Sequence, residues 1–311
     1  MKVCLLINAV LFLLLLGCAT KQKLTEGTSF DIRCHAPEVV RCIGFDLQAE
    51  TDQYVYPPWG QTQKRGTVVA DVKASGAGSL RFEVPSNTGA NTSGNFSLNF
   101  ADDLSLQFGE GEEFYIQWRQ RFSPEFLTTH YEGGLGWKQM VLGEGDRPGF
   151  YAPGCTQLEI VVANSEQRGY PQMYHSCGGK DGQYESLFLS RVLRYVSNEW
   201  MTFQIHVKIG TWYKNDFDYH ADSTIQLWVG REAQPSELVV DLSSEPAALF
   251  GLRIPGTGSG YDIANNNPAA KYGKVMLTVY HTGKNSSESH PKGYVWYDEL
   301  IISRAKIPDP Q

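Results

Sequence analysis

The 311-residue chain carries 34 acidic and 27 basic side chains, for a formal net charge of −7, and 12% of its residues are aromatic. That balance gives no basic surface for nucleic acid, whose binders cluster Lys and Arg. It leaves room for a local basic cleft that faces an acidic polysaccharide. Nucleotide-binding glycine loops and HExxH zinc spacing are absent, and Gly256-Thr-Gly-Ser-Gly260 lacks the following Lys.

At the N-terminus, Lys2 precedes an apolar run, Val3 to Leu16, that is short for a membrane span. The run ends in Leu15-Leu16-Gly17-Cys18-Ala19, which resembles a bacterial lipobox with Cys18 as the lipid-modified residue. Ala rather than Asp at position 19 resembles sorting to the outer membrane of a Gram-negative cell. An acylated terminus anchors a protein to a membrane without a spanning helix. Residues 1–18 therefore read as an export signal, 19–30 as a polar tether, and 31–311 as a single domain. Four cysteines follow the signal, Cys34, Cys42, Cys155 and Cys177, and allow three pairings. No close CxxC pair favours zinc, and export favours disulfides, so the local pairs Cys34–Cys42 and Cys155–Cys177 are expected.

Strand-like segments then recur between Gly, Pro, Asn and Asp clusters: 79–84, 95–100, 113–122, 137–142, 156–163, 171–176, 200–208, 224–231, 274–281 and 293–303. Residues 185–195 read as one short helix. Successive strand side chains point to opposite faces. In 113–122, Phe114, Ile116, Trp118 and Phe122 form a core set, which leaves Gln117, Arg119 and Arg121 outward with Tyr115. In 156–163, Leu158, Ile160 and Val162 leave Gln157 and Glu159 outward. In 200–208, Met201, Phe203, Ile205 and Val207 leave Gln204, His206 and Lys208 outward. In 224–231, Ile225, Leu227 and Val229 leave Gln226 and Trp228 outward. Lys138, Tyr174-His175 and Tyr280-His281 add further polar and aromatic groups whose face is open. The fold class is all-β, a two-sheet antiparallel sandwich.

Val40–Asp46 (VRCIGFD), Gly78–Val84 (GSLRFEV), Gly94–Phe100 (GNFSLNF) and Gly293–Arg304 (GYVWYDELIISR) resemble the concanavalin-A-like jelly rolls. That resemblance implies two curved antiparallel sheets with a carbohydrate groove on the concave one. It also implies a structural calcium, for which Asp46 and Asp298 are the candidates. Gln204-Ile205-His206 matches the Gln-Ile-His tripeptide of some alginate lyases. Their companion segments, Arg-x-Glu-Leu and Tyr-Phe-Lys-Ala-Gly, are represented here only by Gln157-Leu158-Glu159 and Lys208-Ile209-Gly210. The Glu-x-Asp-x-x-Glu motif of glucanases on this fold is absent.

The outward set fits β-elimination on a uronic-acid polysaccharide. Arg and amide groups suit neutralisation of the sugar carboxylate, and His and Tyr suit proton transfer. In this reading Arg119 with Gln157 or Gln204 balances the carboxylate, and His206 or His175 is the base. Tyr174 or Tyr280 is the acid. Lys208 and Arg121 position the chain, with Gln117, Lys138, Glu159, Gln226 and Trp228 lining the groove. No cofactor is required and a monomer is expected. The other reading is a surface lipoprotein that binds carbohydrate through the same groups without cleaving it.

Overall fold

Along residues 113–122 the alternation is realised in full: Phe114, Ile116, Trp118, Gln120 and Phe122 are buried toward one side. The computed structural model describes residues 29–52, 66–90, 92–133, 136–145, 159–164, 169–177, 188–189, 193–212, 220, 222–241, 243, 248–249, 252–253, 263, 271–281 and 283–310. At 159–161, 163–164, 174–177, 188–189, 248–249 and 252–253 the description is of backbone alone. The export signal with Cys18, most of the tether, Cys155 and Gln157 lie outside the described residues.

The elements run α1 (Phe30–Cys34), β1 (Val39–Ile43), α2 (Ala49–Asp52), β2 (Thr67–Val69), β3 (Ser79–Val84) and β4 (Asn95–Asn99). Next come β5 (Glu113–Phe122), α3 (Pro124–Thr128), β6 (Trp137–Glu144), β7 (Glu159–Asn164), β8 (Gln172–Cys177) and β9 (Phe188–Leu189). The chain continues through β10 (Met201–Lys208), β11 (Thr224–Gly230), β12 (Glu237–Asp241), β13 (Ala248–Leu249) and β14 (Leu252–Arg253). It closes with β15 (Tyr272–Thr278) and β16 (Gly293–Ser303). Where a helix is expected over 185–195, Phe188 and Leu189 instead pair with Met173 and Gln172 of β8. Two open edge positions on a neighbouring strand outweigh a weak local helix preference.

An eight-stranded antiparallel sheet has the order β12-β11-β10-β5-β16-β3-β2, with β1 also paired to β16. A six-stranded sheet has the order β4-β15-β6-β7-β8-β9. Their apolar faces meet in one core, where Trp118 stacks on Phe203 at 5.3 Å and Phe82 meets Tyr297 edge-on at 5.6 Å. The Tyr297 hydroxyl crosses the interface and donates to the carbonyls of Gln139 and Thr278, both at 2.8 Å. Sheets packed in this way stand about 10 Å apart, so their outer faces look in opposite directions. The all-β jelly-roll sandwich expected from the sequence is the architecture observed.

Cys34 and Cys42 form a disulfide that ties α1 to β1, with their Cα atoms 5.7 Å apart. The Cys155–Cys177 pair lies outside the described side chains. Near the end of β16, Glu299 adopts φ of 52° and the register with β5 shifts between Asp298 and Ile301. A positive φ is costly for a residue with a side chain. Here the bulge frees the Asp298 carboxylate to take the amides of Ala74 and Ser75 and sends Glu299 to Arg33.

Candidate functional site

The outer face of the eight-stranded sheet is closed by its own chain. Arg33 of α1 is fully buried and donates to both Gln117 Oε1 and Glu299 Oε2. The C-terminal segment after β16 lies over the same face. Gln117 Nε2 donates to the Pro308 carbonyl at 3.1 Å, and Gln204 exchanges two bonds with Ile307, at 3.0 and 2.8 Å. Asp309 accepts from the backbone and the hydroxyl of Ser236, and the Lys306 ammonium sits 4.3 Å above the Trp228 ring. Gln117 and Gln204 therefore expose no surface at all.

His206 lies on this face, stacked on Tyr115 at 4.2 Å with the rings almost parallel. Its Nε2 meets Glu113 Oε2 at 2.7 Å and its Nδ1 meets Gln226 Oε1 at 3.0 Å, while Gln226 Nε2 donates to Asp241. Both ring nitrogens are turned to protein partners, so neither points at a substrate. Arg119 is buried, and its guanidinium reaches the Trp200 carbonyl at 3.5 Å. Lys208 is exposed at the strand end, and Arg121 is half-buried beside Trp296. The alternation places all of these residues on one side, as expected. The groove expected there is occupied by α1 and the C-terminal segment.

A different set stands on the outer face of the six-stranded sheet. Val162 and Met173 point into the core, and β6 bulges between Lys138 and Met140, which turns Gln139 and Met140 inward together. Lys138 is left facing outward. Its Cα pairs with Ala163, which on its other side pairs with Gln172 of β8. On the opposite flank the Lys138 amide donates to the Tyr280 carbonyl at 2.8 Å, and its ammonium stands 5.7 Å from the Tyr280 ring. Gln172, Lys138 and Tyr280 thus form one row across β8, β7, β6 and the segment just after β15, with Gln172 and Lys138 about 10 Å apart at their Cα atoms. The buried Gln172 Oε1 has no hydrogen-bond partner. A second row runs Tyr174–Val161–Val141–Met276–Ser97 in Cα register, and Ser97 Oγ is likewise buried and unpartnered. A third row runs Cys177–Glu159–Gly143–Lys274–Asn99.

The expected residues therefore divide between two faces separated by the core. Lys138, Glu159, Tyr174, His175 and Tyr280 belong to the six-stranded sheet, where the Cα of His175 pairs with Ile160. Gln117, Arg119, Arg121, Gln204, His206, Lys208, Gln226 and Trp228 belong to the other sheet, and no single groove holds both groups. Gln172, Ser97 and Lys274 were missing from the expected site. Gln172 was recoverable, because alternation from the core residue Met173 sends it outward.

The calcium expectation does not fit the residues present. Asp46 Oδ1 accepts the amides of Ala77 and Gly78, and Asp298 accepts those of Ala74, Ser75 and Glu299. Asp46 Oδ1 and both Asp298 oxygens are thus turned to N–H donors rather than to a shared cation position. Among the described residues no three His, Cys, Asp or Glu side chains converge on a metal position. Burial pushes the Asp298 carboxyl up to about 8 against the pull of those three amides.

No family profile and no curated sequence matches the chain. Solved structures do match. The PL-14 alginate lyase from Aplysia kurodai superimposes with a TM-score of 0.54 at 14% identity, covering 87% of this chain and 99% of that one. The alginate lyase vAL-1 from Chlorella virus gives 0.51 at 10% identity, covering 86% and 100%. The fold is the alginate-lyase jelly roll. At such identities the likeness is one of architecture, and residue roles must come from the geometry of this chain.

Proposed function

We propose that the outer face of the six-stranded sheet binds a uronic-acid polysaccharide and that the protein cleaves it by β-elimination. The observation that carries this reading is the row Gln172–Lys138–Tyr280, on a sandwich whose structural neighbours are alginate lyases. In this reading the Gln172 amide holds the sugar carboxylate and a hydroxyl. Lys138 takes the C5 proton. The C5–H pair becomes the C4–C5 double bond, the C4–O4 bond breaks, and the Tyr280 hydroxyl donates its proton to O4.

The test is incubation of the soluble domain with a panel of polyuronates, read by ultraviolet absorbance of the unsaturated product. Product that disappears with Lys138→Met supports the reading. Retention on a polyuronate gel without product on any polymer would leave the non-catalytic binder instead. Export and acylation at Cys18 in a Gram-negative outer membrane, with a monomeric domain, complete the proposal. Fatty-acid labelling that survives Cys18→Ala would refute the anchor.

A further inference from the structure

At the far end of the eight-stranded sheet's outer face Arg81, Arg121 and Tyr294 are half-buried around a buried Trp296. Four residues along β5 from Gln117, about 13 Å beyond the C-terminal segment, Trp296 of β16 pairs on one side with Arg81 of β3 and on the other with Arg121 of β5. Arg81, Trp296 and Arg121 are outward residues of three adjacent strands. Tyr294, two positions from Trp296 on the same face, lies 5.8 Å from the indole ring, and the Arg81 guanidinium sits 5.4 Å above the Tyr294 ring. The aromatic pair is a floor that orients the flanking guanidinium groups.

Neither arginine has an acid. Among the described residues Arg81 contacts only the Tyr294 ring, and Arg121 has no hydrogen bond or ion pair. The acid nearest in register, Glu83, is held by Lys292 at 3.0 Å. Arg33 pairs with Glu299, Arg41 with Asp102 and Arg231 with Glu199, while Arg119, Arg194 and Arg304 meet the Trp200 carbonyl, Tyr170 and the Phe108 ring. In a chain with a net charge of −7, two unneutralised guanidinium groups about 10 Å apart over an aromatic floor form a local basic patch.

We propose that Arg81, Arg121, Tyr294 and Trp296 form a second binding site for a carboxylated glycan chain, on the side of the molecule opposite the six-stranded sheet. Guanidinium forks match carboxylates bidentately, and the exposed part of the aromatic floor takes the apolar face of a sugar ring. The site would hold polymer while the other face acts on another stretch. Its existence does not depend on the lyase reading.

The test is affinity electrophoresis of the full domain through gels containing alginate or a neutral β-glucan, with all proteins carrying Lys138→Met so that polymer stays intact. Adding Arg81→Ala and Arg121→Ala is expected to weaken retention in alginate about tenfold, the loss of about 1.4 kcal/mol. Retardation in the neutral gel, taken relative to each protein's mobility in a polymer-free gel, and the thermal midpoint should not change. Retention in alginate equal to that of the parent, in a folded double variant, overturns the proposal. With Lys138 intact, Arg81→Ala alone should slow cleavage of long polymer and leave cleavage of short oligouronides at the parent rate. Arginine-dependent retention by a protein that forms no unsaturated product would keep this site and remove the lyase reading. Cleavage with retention indifferent to the arginines would do the reverse.

Discussion

The two outer faces of this sandwich are built from similar side chains and put to opposite uses. On the eight-stranded sheet the polar groups Gln117, Gln204, Arg33 and Glu299 bond to one another and to the carbonyls of Ile307 and Pro308. On the six-stranded sheet Gln172 and Ser97 keep a buried oxygen without a partner. A buried polar group left unmatched costs stability. Among the described residues both outer faces hold unmatched buried atoms, Arg119 Nε and Trp296 Nε1 on the eight-stranded sheet among them. The difference lies in the cover that α1 and the C-terminal segment place over Gln117 and Gln204.

The largest effect should follow from opening the covered face. Arg33→Met leaves the Glu299 carboxylate buried without its partner, and breaking such a pair costs about 3–5 kcal/mol. Chemical denaturation should show that loss, and a difference below about 1 kcal/mol would mean the face is not held as described. On the other face, Lys138→Met should lower lyase turnover by about 100-fold, near 2.7 kcal/mol, with little change in stability. A variant equally active, or one that simply unfolds, would erase the distinction between the faces.

His281 gives a pH-dependent contrast at the end of the six-stranded sheet. Its ring is buried against Phe126 and Tyr131 and donates from Nδ1 to the Val279 carbonyl. Burial pushes its pKa from 6.5 down to about 3. A depressed folded-state pKa supplies stability above pH 6.5, and this is lost as pH falls toward 3. Replacement by Phe should flatten the acid limb by about 2 kcal/mol at pH 5. An unchanged slope of stability against pH between 6.5 and 5 would refute the assignment. The smallest effect is expected from His206→Ala, which should leave turnover within about twofold of the parent. Loss of turnover comparable to that of Lys138→Met would return the catalytic face to the eight-stranded sheet.

Period-two alternation in 113–122, 200–208 and 224–231 named which side chains share a face, because the pleat imposes it on any strand with one face in a core. Gln117, Arg119, Gln204 and His206 on the outward face are nonetheless buried as well. The same pattern offered no means of telling which sheet each strand joins. Gln204-Ile205-His206 and Trp137-Lys138-Gln139 therefore read as walls of one groove, although the core separates them. Arg33 and the segment Ile307–Asp309 had no period to betray them, since their role rests on contacts made across 73 to 266 positions of sequence.

What the sequence determined by itself was a local property: which side chains of a strand share a face, because Cβ direction depends only on backbone geometry. Tertiary structure decided which sheet each face belongs to and what packs on it. Strand order, the bulges at Lys138–Met140 and Asp298–Ile301, and the return of the C-terminus are set by packing between segments far apart in the chain. Those long-range contacts leave Lys138, Gln172 and Tyr280 in a row and bury Gln204 and His206.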